Sequence, residues 1–234
     1  METLIEFEEA AIGYDEELPL ISPLSLLLKK GEHCLIMGES GVGKSALVKT
    51  ILGILCVWDG HFHLFEREMG DPPAVLLSYI RKKIGLLPDR GILLQGMTVY
   101  QNLSLQLKYG HLLASHKIED RLEPYLEEFG LHPLLDLYPC DLNADQAKKV
   151  GFVRAIMNHP DLLILDDPYE GLDDHGIRRI NDALERIVSE GETTILLFSR
   201  KRILPGPFYK KIGYLTPGGL SASGETHQRS ERES

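Results

Sequence analysis

A glycine-rich stretch of eight residues, Gly38 to Ser45, constrains the fold more than any other part of the sequence. An apolar run precedes it at 34–37 and a helix-compatible run follows at 46–52, which predicts a strand, a glycine loop and the start of a helix. Glycines let the backbone adopt left-handed conformations, so that successive amide hydrogens turn inward toward bound phosphates. The complete pattern GxxxxGKS in this context predicts a nucleotide-binding loop.

Two side chains at the end of this loop have predicted roles in binding ATP. The Lys44 ammonium would reach the β- and γ-phosphates, and the Ser45 hydroxyl would ligate the Mg2+ that bridges them. The N-terminus of the following helix adds a favourable field for phosphate. We therefore predict ATP and Mg2+ as ligands. The nucleotide-binding residues predicted in this segment are Gly38, Glu39, Ser40, Gly41, Val42, Gly43, Lys44, Ser45 and Ala46.

The composition is that of an ordinary globular protein. With 234 residues, of which 43% are hydrophobic and 26% charged, the chain can form one large domain or a domain with an inserted subdomain. No apolar run approaches the ~20 residues that a membrane-spanning helix needs. The net charge of -10 argues against binding to a nucleic-acid backbone, which requires a basic face. We predict no nucleic-acid partner.

Two further features predict a cytoplasmic protein. Acidic residues occur in the first positions, 1–6, where a signal peptide would carry basic ones. The three cysteines, Cys34, Cys56 and Cys140, cannot all pair and lack metal-ligand spacing, so we expect buried reduced thiols.

A second acidic element lies far along the chain. The apolar run 162–165 predicts a buried strand, and Asp166 stands at its carboxyl end, where α/β sheets place ligands. In a P-loop ATPase, a carboxylate at this point is the Walker B aspartate, which holds Mg2+ through water. The long separation from the phosphate loop disfavours the small P-loop kinases.

These motifs and their order resemble the nucleotide-binding subunit of an ATP-binding-cassette (ABC) transporter, and the resemblance covers nearly the whole chain. It implies an α/β fold of the P-loop NTPase type, with a RecA-like core, an antiparallel β layer and an ABC-specific helical subdomain. By the same resemblance, Tyr14 stacks on adenine. Asp173, in the Gly171-Leu172-Asp173 match to the D-loop, would contact the partner subunit across a head-to-tail dimer.

The resemblance also predicts the domain limits. The ABC-type domain would span 1–217, and the helical subdomain, inserted at about 89–150, would bind a membrane partner. The tail 218–234 is polar, small and charged, with almost nothing apolar to bury, so we expect it to be disordered.

Two departures from the family pattern concern the residues of the chemical step. The carboxylate that polarises the attacking water, normally glutamate, is Asp167. The missing methylene draws the carboxylate back by roughly 1 Å, and a misplacement of that size can cost about 10²-fold in rate. The switch histidine aligns with Arg200, which can clamp a γ-phosphate but stays protonated. Both changes predict slow hydrolysis.

A third departure concerns the metal. The Q-loop glutamine of the family falls on Asp89, with Gln95 a weaker candidate. The residues predicted to hold Mg2+ are Ser45, Asp166 and Asp89.

The fourth departure lies in the signature LSGGQ, whose serine and glycine amides face the nucleotide held by the other subunit. Asp145 replaces a glycine, adding a side chain and a negative charge where the backbone should approach phosphate, which is expected to weaken dimer closure. The alternative is a well-capped helix start, since a glutamine follows the cap residue by three positions. The signature-like residues are Leu142, Asn143, Ala144, Asp145 and Gln146.

Within the family, the segments 90–102 and 168–173 resemble the Mla/MCE phospholipid-trafficking ATPases. This implies lipid transport, a separate integral membrane permease and a second ABC subunit, in a homodimer or a heterodimer, on the cytoplasmic face of the inner membrane. Two functions remain open at this point. One is a motor subunit that couples ATP binding and weak hydrolysis to transport. The other is a nearly non-hydrolytic cassette, a structural or regulatory half of a heteromeric complex.

Overall fold

The computed structural model describes residues 2–89, 92–109, 116–200 and 208–222. The chain divides into two compact units, each of which is described by itself. The first unit comprises Met1–Arg81 and Thr194–Ser234, and the second comprises Lys82–Thr193.

The first unit contains an antiparallel sheet in the order β2-β1-β4-β5. Phe7 of β1 pairs with Leu26 on one side and with Phe62 on the other. The rings of Phe7 and Phe62 stack with centroids 4.1 Å apart, so this sheet buries an aromatic pair on one face. The strands are β1 (Thr3–Ile12), β2 (Ile21–Lys29), β4 (Val57–Leu64) and β5 (Arg67–Glu68).

A second layer of the same unit carries the strand that leads into the phosphate loop. Strand β3 runs parallel to β8 and β9, and β10 pairs antiparallel with β9. All residues of β3 and β8 are buried, as expected for apolar runs inside a parallel sheet. The strands are β3 (His33–Met37), β8 (Thr194–Ser199), β9 (Tyr209–Thr216) and β10 (Gly219–Ala222), and the helices are α1 (Lys44–Ile51) and α2 (Ala74–Lys82).

The second unit contains two parallel strands and most of the helices. Strand β6 pairs with β7 in a register that sets Leu87 opposite Leu165. Helix α5 packs closely on β6, because a Cβ at Gly85 would lie 2.1 Å from the Ala155 carbonyl oxygen. The elements are β6 (Ile84–Leu87), α3 (Val99–Tyr109), α4 (His116–Phe129), α5 (Ala144–Ile156), β7 (Leu162–Asp166) and α6 (Asp174–Glu190), with short 3-10 turns at His132–Leu134 and Pro139–Asp141.

The predicted α/β class, with parallel strands, an antiparallel β layer and helices, is confirmed. No strand occurs within the described residues of 89–150, and the limits of the helical subdomain stay a prediction. The prediction of disorder from residue 218 is wrong for its first part, because β10 is held by pairing with β9. The rest of that tail, 223–234, lies outside the described residues.

The cysteines are free, but their burial differs from the expectation. Cys34 is buried in β3, and burial raises the pKa of its thiol to about 12. Cys56 and Cys140 are exposed, so the prediction of buried thiols is wrong for these two. None of the helices in the described part of the chain combines the length and apolar character needed to cross a membrane.

Candidate functional site

The phosphate loop follows directly from the buried end of β3. The Gly38 amide donates a hydrogen bond to the Ser199 carbonyl oxygen, 3.1 Å away, at the end of the neighbouring strand β8. A Cβ on Gly38 would lie 2.8 Å from Val42 Cγ2 and 2.9 Å from the Leu215 carbonyl oxygen. Only glycine fits at this position, and the loop therefore starts from a fixed point on the sheet.

Two glycines of the loop adopt the conformation that the phosphate-binding pattern requires. Gly41 has a φ of 88° and Gly43 a φ of 103°, both in the left-handed region that L side chains rarely occupy. Gly43 is also the N-cap of α1, so the turn ends where the helix begins. The backbone therefore curls in the way that turns amide groups toward an anion at a helix N-terminus.

The lysine of the loop is folded into this curve. Lys44 is only 6% exposed, and its Nζ donates to the carbonyl oxygens of Gly38 at 2.6 Å and Glu39 at 2.7 Å. The ammonium is thus held on the inner side of the loop by backbone oxygens. Ser45, in the first turn of α1, is exposed and presents its hydroxyl as an oxygen ligand of the kind that Mg2+ prefers.

Tyr14, the predicted adenine-stacking residue, lies in a turn that a hydrogen bond from a side chain stabilises. Tyr14 is 59% exposed, and the preceding Gly13 accepts a hydrogen bond from Trp58 Nε1 at 3.2 Å. Lys49 Nζ lies 2.9 Å from the Tyr14 hydroxyl and 5.2 Å from the ring centroid, so the ammonium sits beside the hydroxyl end of the ring. The geometry leaves the tyrosine on a fixed turn with much of its ring surface accessible.

Arg200, the predicted replacement for the switch histidine, immediately follows β8. It is half-buried, and its neighbour Ser199 is the residue whose carbonyl accepts the Gly38 amide. The backbone at Arg200 therefore lies beside the first residue of the phosphate loop, within the same unit.

The second unit groups carboxylates at the ends of its parallel strands. Leu87 of β6 and Leu165 of β7 form the last pair of the two strands, and Asp89 and Asp167 each follow two residues later. Their carboxylate oxygens and that of Glu170 lie within 4.8 Å of one another. Oxygen ligands of this type suit Mg2+. Asp166, the predicted Walker B aspartate, is buried at the end of β7, and Gln95, the weaker Q-loop candidate, is exposed.

Asp167 has an unusual backbone conformation. Its φ is 46°, in the left-handed region, where aspartate is better tolerated than most side chains. The residue is buried, and its carbonyl oxygen accepts a hydrogen bond from the buried Lys148 at 3.0 Å. The predicted catalytic carboxylate therefore stands on a constrained turn.

The signature-like segment forms a capped helix start. The Asn143 side chain accepts from the Gln146 amide at 2.8 Å, and the Gln146 side chain accepts from the Asn143 amide at 3.0 Å. This reciprocal capping box confirms the predicted helix start at Asn143.

The charge of Asp145 is balanced within the chain. Its carboxylate pairs with Lys149, one turn along α5, at 2.6 Å. Its other oxygen lies 2.7 Å from the place a Cβ would take on Gly176 of α6. The expectation that Asp145 weakens dimer closure stays a prediction, and the pair with Lys149 places a positive charge beside this carboxylate.

The D-loop lies against the same segment. Asp173 is the N-cap of α6, and its carboxylate accepts from the Gly176 amide at 2.6 Å, a bond that lowers the pKa of this carboxyl. A Cβ on Gly171, which has a φ of 81°, would lie 3.4 Å from the Ala144 Cβ. The D-loop and the signature-like segment are thus packed neighbours.

The sequence predictions missed three residues of these networks. Glu170 joins the carboxylate cluster, Lys148 binds the Asp167 backbone and Lys149 pairs with Asp145. The spacing of four residues between Asp145 and Lys149 was a usable signal, since such pairs face each other on a helix. Lys148 gave no such signal, because α5 is buried on most of its sides and its periodicity is weak.

Known proteins resemble this chain in sequence. The sequence profile of the family described as ABC transporter matches residues 21–170. The methionine import ATP-binding protein MetN 1 of Paraburkholderia xenovorans is 31% identical over 202 residues, which make up 86% of this chain and 58% of that protein. MetN of Cupriavidus metallidurans is 29% identical over 212 residues, or 91% of this chain and 61% of that protein. The chain thus spans about three fifths of the length of these curated relatives.

Solved structures share the fold. The post-hydrolysis dimer of the ATP-binding cassette MJ0796 with ADP and Pi gives a TM-score of 0.83 at 22% identity, covering 94% of this chain and 98% of that one. The structure of cbiO1 from Clostridium perfringens, part of the transporter complex cbiONQ, gives a TM-score of 0.78 at 24% identity, covering 94% of this chain and 88% of that one. On the extent of the profile match, the chain belongs to the ABC transporter family and is an ATP-binding cassette.

Proposed function

We propose that this chain is the ATP-binding and ATP-hydrolysing subunit of an import-type transporter. The observation that carries the proposal is the geometry of the phosphate loop. Left-handed glycines at Gly41 and Gly43 shape the loop, and its ammonium, Lys44 Nζ, is held on the inner side. This arrangement fits a polyphosphate, because it offers backbone amides, a cation and a helix N-terminus together.

The residues of the phosphate loop, and others outside it, have distinct proposed roles in binding. Lys44 places its ammonium for the β- and γ-phosphates, and exchanges its bonds to loop carbonyls for bonds to phosphate oxygens. Ser45 offers a hydroxyl oxygen as a ligand for Mg2+, and in the second unit Asp166 and Asp89 offer carboxylate oxygens, which are also ligands that suit this ion. Mg2+ would neutralise charge on the phosphates. Tyr14 offers its exposed ring to the base.

For hydrolysis, we propose Asp167 as the general base. Its carboxylate would accept the proton of the attacking water, and its short side chain makes this step slow. Arg200 supplies a permanent positive charge toward the γ-phosphate. The paired state of Asp145 removes one of the reasons to expect poor closure of a dimer, so the limitation is placed at Asp167.

Membership of the ABC transporter family supports a proposal about the partners and the direction of transport. We propose that two cassettes pair, as a homodimer or a heterodimer, and dock on a separate membrane permease at the cytoplasmic face. The named relatives are methionine import proteins. They favour an import function and give no support to phospholipid trafficking, to which the short segments 90–102 and 168–173 pointed. They also give no support to a nearly inert cassette.

Phosphate release by the purified chain, with and without a reconstituted permease, tests the proposal. The wild type should release phosphate from Mg-ATP, and Asp167→Asn should lose at least 10-fold in rate while its affinity for ATP changes little. Lys30→Ala serves as a control, since Lys30 is exposed in the turn before β3. A wild type that binds no ATP, or binds it without releasing phosphate, would contradict the proposal.

A further inference from the structure

A buried lysine lies beneath the carboxylate cluster of the second unit. Lys148 is 3% exposed, although an ammonium is strongly hydrated and costly to bury unless it is hydrogen-bonded. Its Nζ donates to two backbone carbonyl oxygens, those of Asp167 at 3.0 Å and of Asp89. The lysine therefore bridges the backbone of two residues that carry predicted functions.

These two carbonyls belong to neighbouring strand ends. Asp89 follows β6 and Asp167 follows β7, and the two strands are parallel and paired up to Leu87 and Leu165. Beyond that point, the chain leaves the sheet in two separate turns. A single ammonium on α5 bridges both turns, and so fixes the distance between them.

The conformation of Asp167 needs such support. A left-handed φ of 46° is unfavourable for a residue with a Cβ and persists only where the surroundings enforce it. A hydrogen bond from an ammonium to the carbonyl of that residue is charge-assisted and stronger than a neutral one. The direction of the Asp167 carboxylate depends on this backbone, because its side chain is short.

The charge of Lys148 also suits its surroundings. Carboxylate oxygens of Asp89, Asp167 and Glu170 lie within 4.8 Å of one another. The Lys148 ammonium, bonded to the backbone of Asp89 and Asp167, places a positive charge beside this acidic group.

We propose that Lys148 is a positioning residue for hydrolysis: it holds the turn of Asp167 in its left-handed conformation and ties it to the turn of Asp89. The inference rests on the proposed function, since it assigns Asp167 the role of base. Lys148 acts through the backbone of Asp167.

The chain offers a matched control at the other end of the same strands. Lys83 precedes β6 and pairs with Asp161, which precedes β7, at 3.0 Å. Lys83→Met thus removes a lysine that bridges the same two strands, but at their amino ends, far along them from the carboxylates. If a lysine that bridges these strands only stabilised the fold, both variants should lose hydrolysis rate to a similar extent.

The test compares ATP affinity with the rate of single-turnover hydrolysis. Lys148→Met should lower the rate at least 10-fold and change the dissociation constant for ATP by less than about 3-fold, whereas Lys83→Met should leave the rate within 2-fold. Lys148→Arg should recover part of the rate, because the guanidinium keeps a positive charge and several donors. In an Asp167→Asn background, Lys148→Met should add little, since both changes act on one group.

Three results would overturn the proposal: equal rate losses in Lys148→Met and Lys83→Met, full additivity with Asp167→Asn, or no recovery by Lys148→Arg. If Lys148→Met does not fold, Lys148→Gln takes its place and should show the same split between rate and affinity. A wild type that releases no phosphate would contradict the proposed function itself, whereas a normal rate in folded Lys148→Met would contradict the role of Lys148 alone.

Discussion

The phosphate loop keeps its family motif complete, whereas the signature-like segment departs from its motif, and yet both are ordered. In the phosphate loop, the family pattern is complete, and glycine occupies both left-handed positions, Gly41 and Gly43. In the signature-like segment, both glycines of the pattern are replaced, by Ala144 and Asp145, yet the segment is an ordered helix start. The replaced residues have local partners: Ala144 lies against Gly171, and Asp145 pairs with Lys149.

The difference teaches that departure from a motif does not by itself mean loss of structure. The phosphate loop depends on backbone conformation, which only glycine provides at those positions. The signature-like segment is stabilised by side-chain contacts that other residues can make. We therefore expect intact ATP binding by the phosphate loop, and we expect the short carboxylate of Asp167 to limit the rate of hydrolysis.

The largest effect should come from the phosphate loop. We expect Lys44→Ala to raise the dissociation constant for Mg-ATP at least 100-fold, because it removes the ammonium held inside the loop. Asp145→Ala should change that constant less than 3-fold in the same titration with a fluorescent ATP analogue. Similar increases of the dissociation constant in both variants would contradict the expectation that the phosphate loop binds ATP and the signature-like segment contributes little to binding.

The next effect concerns the chemical step. Asp167→Glu should raise the hydrolysis rate by about 10- to 100-fold, since the longer side chain restores the reach of the carboxylate. The left-handed backbone opposes this gain, because glutamate tolerates a φ of 46° less well than aspartate. Phosphate release under saturating ATP measures the outcome. If Ala144→Gly with Asp145→Gly raises the rate and Asp167→Glu does not, the limit lies in the signature-like segment.

A smaller effect tests the local pairing of Asp145. Asp145→Ala should lower the free energy of unfolding by about 1–3 kcal/mol, because it leaves the largely buried Lys149 ammonium without its carboxylate. Urea unfolding measures the change. Adding Lys149→Ala should recover part of the loss, and a double variant as unstable as the sum of the single ones would rule out a direct pair.

The smallest effect concerns pH and the strand that leads into the phosphate loop. His33, buried in β3, accepts a hydrogen bond from the Ile195 amide at Nδ1, and burial lowers its pKa below the ordinary value of about 6.5. The folded state therefore binds this proton less readily than the unfolded state. Its contribution is complete above pH 6.5 and is lost as pH falls from there.

His33→Gln removes this titration. The variant should lose less stability than the wild type between pH 7 and pH 5, as measured by urea midpoints at each pH. Parallel pH profiles for the two proteins would show that His33 does not contribute.

Local signals in the sequence predicted the elements that depend on local rules. The phosphate loop follows from its glycines, and the start of α5 follows from Asn143 and Gln146. Strand β10 was missed because a run of four residues with one large apolar side chain, Leu220, gives little local signal, and the strand forms through pairing with β9. Helix α2 was not predicted, and in the structure most of its apolar residues are exposed or half-buried.

The sequence predicted those residues of the candidate site that belong to known motifs. Asp89 and Asp167 are named by the motif positions, but their proximity arises from the pairing of β6 with β7. The role of Lys148 could not be predicted, because a lysine on a helix is usually solvated and nothing local indicates its burial. The left-handed backbone of Asp167 is likewise set by tertiary contacts.

Single-turnover hydrolysis with the chain in excess over Mg-ATP tests the central claim most directly, because all nucleotide is then bound and only the chemical step is observed. The account predicts complete binding, lost in Lys44→Ala, followed by hydrolysis well below the ~10 s⁻¹ typical of enzymes. A wild-type rate near ~10 s⁻¹ would contradict it, since the short carboxylate of Asp167 would then not limit the reaction.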